Sequence, residues 1–251
     1  MDIQQSIFDY LRQPFKIDKP IRLVSLFSGY DSQAMALKRL GANYEHYKAV
    51  EFDKYAIASL NAVHDTNFEV TDICDVHGAD LEIVDKDKYE YIMTYSFPCT
   101  DISRAGEQQG FDKGSGTRSS LLWEVERILL ELKELDALPQ VLLMENVAAL
   151  LDEKNKGGYR KWLDVLDELG YTTYSQILNA YDYGIPQHRE RVIAISLMGD
   201  YNYKFPREIE LTKCIEDFYE DLTEEQALQL VVKSEKAHAL LVKLDEDGKL
   251  G

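Results

Sequence analysis

From Ile21 onward, short runs rich in β-branched and aromatic residues alternate with longer runs of helical periodicity. Strands are predicted in IRLVSLF, EHYKAVEF, FEVTDI, YEYIMTYSF, QVLLMENV, YTTYSQILNA and RVIAISLM. Helices are predicted between most of them, for example in DSQAMALKRL and LLWEVERILLELKEL. Because this alternation favours a parallel sheet with helices on both faces, we predict an α/β chain with a doubly wound, mostly parallel sheet.

The composition changes near position 206. Residues 207–251 are acidic and contain a long helical pattern, so we predict a main domain over 1–206 and a C-terminal helical extension over 207–251. No stretch approaches the ~18 apolar residues of a membrane span, and the N-terminus lacks a secretion signal, which predicts a cytoplasmic protein without a membrane partner. The cysteines have no CxxC spacing, so we expect neither disulfides nor a metal site.

Three residues lie at the ends of the first three predicted strands. Gly29 follows the first strand, Glu51 ends the second and Asp72 ends the third. Ligands of open α/β sheets bind beyond the carboxyl ends of the strands, where a carboxylate after the second strand can accept both ribose hydroxyls. With Asp72 facing an adenine amino group and no phosphate-binding motif, the pattern indicates an adenosine ligand without phosphates. The alternative is a tight turn flanked by surface acids.

Cys99 lies directly after a proline in YSFPCTDIS. Taken alone, such a cysteine is more often a small buried hydrophobic residue than a nucleophile. However, Glu145 ends the neighbouring predicted strand, and Arg189 and Arg191 precede the last strand. A thiolate, a carboxyl group and two arginines at one sheet edge can add a nucleophile to an electron-poor ring and stabilise the charge that develops.

Several segments together resemble the DNA (cytosine-5) methyltransferases, which use S-adenosylmethionine. VSLFSGYDS, VEFDKYA and VTDI are similar to that family's first three motifs, FPCTDIS to its nucleophile motif, MENV to its glutamate motif and NAYDYGIPQHRERV to its paired-arginine motif. These segments occur in family order over roughly residues 21 to 200. The resemblance implies a Rossmann-like, class I methyltransferase fold, with the catalytic and cofactor-binding domain in residues 1–206.

The resemblance also implies roles for individual residues. Cys99 would attack C6 of a flipped-out cytosine, and Glu145 would hold the ring at N3 and the exocyclic amine. Arg191 would brace the site, Arg189 would contact backbone phosphate, and the polar loop 100–119 would close over the base. The positions implied to bind the cofactor are Phe27, Gly29, Glu51, Phe52, Asp72, Ile73 and Pro98. Those implied to contact or support the substrate are Phe97, Ser103, Asn146 and Gln187.

The chain departs from the family pattern in its first motif. Asp31 and Ser32 stand where the family usually has two glycines. We expect Asp31 in particular to lie where cofactor atoms come close, so that the change either weakens cofactor binding or marks a subgroup.

A second departure concerns DNA recognition. The family normally continues with a basic target-recognition region and a Gly-Asn-Ser motif, neither of which is in this sequence, and the formal net charge is −17. Such a charge repels phosphate backbones. We therefore expect a split enzyme: this chain would be the catalytic subunit, duplex DNA its substrate, and a second polypeptide the source of target recognition, with the acidic extension at their border. The alternatives are a tRNA cytosine-5 methyltransferase, an inactive remnant with a binding or regulatory role, and a generic adenosine-binding protein.

Overall fold

The computed structural model describes residues 12–102, 113–231 and 233–248. The chain divides into two compact units, Met1–Glu210 and Leu211–Gly251. Their boundary falls close to position 206, where the composition changes. Within the described residues, no helix combines the length and the apolar character needed to cross a membrane.

The first unit contains all the strands described. They are β1 (Gln13–Pro14), β2 (Ile21–Leu26), β3 (Tyr44–Val50), β4 (Glu90–Tyr95), β5 (Val141–Val147), β6 (Tyr171–Asn179), β7 (Glu190–Met198) and β8 (Tyr201–Asn202). Its α-helices are α1 (Ser32–Arg39), α2 (Lys54–His64), α3 (Leu122–Glu134) and α4 (Lys156–Glu168). Short 3-10 helices occupy Ile73–Asp75, Gly78–Leu81, Arg118–Leu121, Ala148–Leu151 and Ala180–Asp182.

Six strands form the main sheet in the order β3-β2-β4-β5-β7-β6. Neighbours from β3 to β5 are parallel, whereas β7 is antiparallel to both β5 and β6. The mostly parallel α/β sheet predicted from the sequence is confirmed. The reversed strand has a functional consequence, because the first residues of β7 lie at the same edge of the sheet as the last residues of β5.

Alternating residues of the strands pack on opposite faces of this sheet. On one face, Tyr91, Met93 and Tyr95 of β4 belong to a large core cluster with the apolar sides of α3 and α4. On the other face, Ile92 packs in a smaller cluster with Ala34 of α1. Helices therefore cover both faces, which explains why the central strands read as continuous apolar runs.

The segment FEVTDI, predicted as the third strand, is not a strand. Its backbone groups are bonded locally instead: the Asn61 side chain accepts from the Phe68 amide and donates to the Phe68 carbonyl, both at 2.9 Å. The Thr71 amide donates to the Glu51 carbonyl at 2.9 Å, which places the segment beside the end of β3. The Asn61 side chain thus makes the backbone hydrogen bonds of Phe68 that a neighbouring strand would make in a sheet.

The second unit contains helices α5 (Glu224–Leu230) and α6 (Glu235–Glu246) and the 3-10 helix Ile215–Phe218. Thr223 and Gln226 form a reciprocal capping box at the start of α5, and Ser234 caps α6. None of the residues in these two helices is buried. The helices predicted here from the sequence are present, and a side chain caps the N-terminus of each of them.

Candidate active site

Glu145 and Arg191 form an ion pair at the edge of the sheet where the parallel strands end. In the antiparallel register of β5 and β7, Val147 pairs with Arg191, so Arg191 lies beside the end of β5. Arg191 Nε is 2.9 Å from Glu145 Oε1, and the two side chains are 25% and 28% exposed. A partly buried pair is screened less by salt than an exposed pair. Arg191 therefore restricts the orientation of the Glu145 carboxylate.

Cys99 lies in the turn that follows β4, beside the end of β5. Its thiol is free and half-buried, so it is not sealed in the core. Asn146 is 3% exposed, and its Nδ2 donates to the Phe97 carbonyl at 3.0 Å. This hydrogen bond ties the turn that carries Cys99 to the residue directly after Glu145. Asn146 thus supports the site from within the protein, and its amide is not available to a substrate.

The structure does not place the three other residues predicted to contact substrate, Phe97, Gln187 and Ser103, at the site. The Phe97 ring is 2% exposed and packs in the core, so the prediction that it contacts the substrate is wrong for its side chain. Gln187 lies in an exposed segment and lines neither cavity described below. Ser103, with the rest of residues 103–112 of the 100–119 loop, lies outside the described residues.

The ends of the 100–119 loop are joined by a reciprocal pair of hydrogen bonds. The Ser119 amide donates to the Asp101 carboxylate at 3.0 Å, and the Asp101 amide donates to the Ser119 hydroxyl at 3.2 Å. Hydrogen bonds from the Ser119 amide and nearby groups hold the pKa of Asp101 below its usual value, against the opposing effect of burial. The two ends of the loop are therefore held together at Asp101, two residues after Cys99.

A first cavity of about 280 Å³ opens at the ends of β2, β3 and β4. Six of the seven residues predicted to bind a cofactor line it: Phe27, Glu51, Phe52, Asp72, Ile73 and Pro98. The Phe52 ring is 70% exposed, which leaves a face free to stack on a planar group. The cavity combines such apolar surface with carboxylates, as a nucleoside site requires.

Both oxygens of the Glu51 carboxylate accept backbone hydrogen bonds. Oε2 accepts from the Gly29 amide at 3.0 Å, and Oε1 accepts from the Asp53 amide at 2.9 Å. Gly29 has φ 56°, a conformation that glycine adopts without strain. Because a carboxylate offers about four acceptor positions, Glu51 retains capacity for ligand hydroxyls while it anchors the turn after β2.

Asp72 does not end a strand, contrary to the sequence prediction. It is the N-cap of the 3-10 helix Ile73–Asp75, and its carboxylate accepts from the Cys74 amide at 2.9 Å. Asp72 nevertheless lines the first cavity together with Cys74. Burial, with hydrogen bonding and charge from Asp72, raises the pKa of the Cys74 thiol, so this cysteine is a poor nucleophile.

A second cavity of about 310 Å³ adjoins the first, since Phe27 and Ser96 line both. It runs along the loop that contains Gly29 and includes Glu145 and Arg189 in its lining. The predicted cofactor residues and two of the predicted catalytic residues therefore meet in adjoining spaces. Such an arrangement allows a ligand in the first cavity to present a reactive group towards the end of β5.

Sequence reasoning missed the residue that positions Arg189. Asn179 ends β6, and its side-chain oxygen accepts from the amides of Tyr181 at 3.2 Å and Arg189 at 3.0 Å. The preference of asparagine for bonding nearby backbone groups at strand ends is the signal that could have identified it. Arg189 itself is exposed.

Comparison with known proteins places this geometry in context. A sequence profile described as C-5 cytosine-specific DNA methylase matches residues 21–247. The type II methyltransferase M2.ScrFI of Lactococcus lactis subsp. cremoris is 33% identical, over 82% of this chain and 69% of that protein. The orphan methyltransferase M.SssI of Spiroplasma monobiae is 45% identical, over 53% of this chain and 32% of that protein. This chain thus spans only part of these longer relatives.

Among solved structures, the methyltransferase EhMeth of Entamoeba histolytica has a TM-score of 0.66 at 16% identity. The superposition covers 83% of this chain and 62% of that chain. At this identity the likeness shows a shared fold.

Proposed function

The chain belongs to the C-5 cytosine-specific DNA methylases, and we propose that it transfers a methyl group from S-adenosylmethionine to C5 of a cytosine in duplex DNA. The observation that carries this proposal is the Glu145–Arg191 ion pair, which lies beside the Cys99 turn and whose Glu145 lines the second of the two adjoining cavities. A generic adenosine-binding protein has no need of this arrangement.

S-adenosylmethionine is the methyl donor of this family, and when bound it supplies an electrophilic methyl group on a sulfonium. The first cavity suits its adenosine part. Phe52 offers an exposed ring for the adenine, and Glu51 offers free acceptor positions for the ribose hydroxyls. The second cavity leads from there to Glu145.

The chain's own residues would then carry the substrate chemistry. C5 of cytosine is too weakly nucleophilic to accept a methyl group directly. The Cys99 thiolate adds to C6, while the Glu145 carboxyl group protonates N3, so that the electrons of the ring make C5 nucleophilic. After C5 has been methylated, a base removes the C5 proton, the thiolate leaves C6, and the N3 proton returns to the Glu145 carboxylate, which restores the aromatic ring. Arg191 keeps the Glu145 carboxyl group oriented through both steps.

This chemistry requires that the base leave the double helix, because C6 is inaccessible within stacked bases. Binding energy from the DNA backbone must offset the cost of unstacking. The chain carries a net charge of −17, which opposes such binding. We infer that a basic second polypeptide supplies target recognition.

Replacing Phe52 with alanine is expected to weaken S-adenosylmethionine binding about 10-fold, because a stacked aromatic ring contributes ~1 kcal/mol or more beyond its area. Isothermal titration calorimetry on the full chain measures the affinity. Tyr55, which is 72% exposed and lines neither cavity, gives the matched control Tyr55→Ala. Equal affinities of the two variants would place the adenine elsewhere.

The proposed function is tested by transfer of a labelled methyl group from S-adenosylmethionine to duplex DNA. The chain should be assayed alone and co-expressed with the protein that the adjacent reading frame encodes, with tRNA as a parallel substrate. We expect 5-methylcytosine in DNA, with at least ~10-fold more product when the partner is present. Methylation of tRNA alone would contradict the proposed substrate, and full activity of the isolated chain would contradict the need for a partner.

A further inference from the structure

The loop Ser28–Ser32 lines the second cavity and contains an aspartate in an unusual conformation. Asp31 has φ 56°, in the left-handed region that most non-glycine residues avoid. Its side chain is 0% exposed. The expectation that Asp31 approaches cofactor atoms is therefore wrong for its carboxylate, which is enclosed by protein. A charge buried in this way needs compensating partners.

The Asp31 carboxylate contacts both helix α1 and strand β3. Oδ1 accepts from the Ala34 amide at 3.1 Å and so caps helix α1. Oδ2 lies 2.8 Å from Nε2 of His46, a β3 residue whose side chain is 7% exposed. The pair links the cofactor-side loop to the neighbouring strand.

A second histidine contacts the adjacent residue of the same loop. Nε2 of His64, the last residue of α2, lies 2.9 Å from the Tyr30 carbonyl. The rings of His46 and His64 meet edge to face, with centroids 5.2 Å apart. The two histidines contact the loop from two different elements, His46 from β3 and His64 from α2. Tyr30 and Asp31 are thereby both restrained.

We propose that Asp31, through its contact with His46, is a positioning residue that holds the Ser28–Ser32 loop in the shape that binds S-adenosylmethionine. The proposal rests on the function proposed above, because it assigns the second cavity to the same ligand. The strained backbone of Asp31 is maintained by the contacts of its carboxylate. Removing the charge while keeping the shape of the side chain releases the loop and leaves the cap on α1 intact.

The surroundings of Asp31 keep it ionised. Burial by itself raises the pKa of this carboxyl group, but the contacts with His46, Ser25 and the Ala34 amide outweigh burial and leave the pKa below its usual value. The other groups that face the pair are Tyr44 on β3 and His64 on α2. A group with a lowered folded-state pKa stabilises the protein above its unfolded-state pKa, and this contribution is lost as the pH falls through the folded-state pKa.

The test compares Asp31→Asn with Asp65→Asn in the full chain. Asp65 is a matched control because it also has a left-handed backbone, φ 54°, but is exposed at the end of α2. We expect Asp31→Asn to weaken S-adenosylmethionine binding and to raise its KM about 10-fold or more, with kcat at saturating cofactor changed less than ~2-fold. Asp65→Asn should leave affinity and KM unchanged within ~2-fold. A purely structural role would lower the amount of folded protein without raising the KM.

Two further measurements keep the proposal falsifiable if Asp31→Asn folds poorly. His46→Gln, which leaves the cap on α1, should reproduce the loss of affinity, and the double variant should be no weaker than the weaker single variant because both act through one contact. In wild type, the stability advantage over either variant should shrink as the pH falls below about 4. Wild-type affinity in both Asp31→Asn and His46→Gln overturns the proposal. Absence of S-adenosylmethionine binding by wild type overturns the proposed function instead.

Discussion

Cys99→Ser is expected to reduce methyl transfer by about 10³-fold or more, with cofactor affinity and thermal stability unchanged. A cysteine thiol has an ordinary pKa of ~8.5 and supplies a thiolate near neutral pH, whereas a serine hydroxyl stays protonated and adds to C6 far more slowly. The side chain is half-buried and free, so exchanging sulfur for oxygen disturbs little packing. Single-turnover transfer to duplex DNA, with the partner present, measures the loss of the chemical step.

The other two cysteines supply controls for this experiment. Cys214 is exposed in the second unit, and Cys214→Ser should behave as wild type. Cys74 lines the first cavity, so Cys74→Ser should affect cofactor binding at most and leave the chemical step intact. Undiminished transfer by Cys99→Ser, or a comparable loss in Cys214→Ser, would reject Cys99 as the nucleophile.

Glu145→Gln is expected to reduce the rate of transfer about 10²- to 10⁴-fold, the range for loss of a general acid. Glutamine keeps the length of the side chain and can still donate a hydrogen bond to N3, but it cannot transfer a proton as C6 is attacked. Cofactor affinity should change little, since Glu145 does not line the first cavity, where Phe52 and Glu51 would hold the adenosine part of the cofactor. The single-turnover rate constant separates this effect from DNA binding.

Two variants show whether Glu145 acts through its carboxyl group. Glu153 is an exposed glutamate paired with Lys156, and Glu153→Gln should leave the rate unchanged. Arg191→Lys keeps a positive charge beside Glu145 but loses the rigid guanidinium, so we expect an intermediate loss of rate. A wild-type rate in Glu145→Gln would mean that ring protonation comes from another group, and the proposed mechanism would be wrong.

The sequence predicted the order and type of most elements because strand composition and helical periodicity are local properties. FEVTDI misled for the same reason: its composition favours a strand, but Asn61 on the preceding helix takes the backbone bonds of Phe68. The direction of β7 also cannot be read from RVIAISLM, since the composition of a strand carries no information about its orientation. That direction determines that Arg191 meets Glu145.

The sequence predicted which residues line the candidate site, but it did not predict most of their contacts. Six predicted cofactor residues line one cavity because strand ends converge at one edge of a parallel sheet. Partners that lie on another element were not predictable, such as the Gly29 amide that donates to Glu51. Asp31 shows this most clearly: its departure from the family pattern is visible in the sequence, but His46 is brought to it only by the pairing of β2 with β3.

The most direct test of the account is to trap the covalent bond between Cys99 and cytosine C6. Duplex DNA that contains 5-fluorocytosine permits addition and methylation, but fluorine at C5 cannot leave as a cation, so the thiol cannot be expelled. Incubation with S-adenosylmethionine and the partner, followed by digestion and mass spectrometry, identifies the cross-linked residue. We predict one DNA adduct, on Cys99, that Cys99→Ser abolishes. An adduct on Cys74 or Cys214, or methylation of ordinary cytosine by a protein that forms no adduct on Cys99, would contradict the central claim.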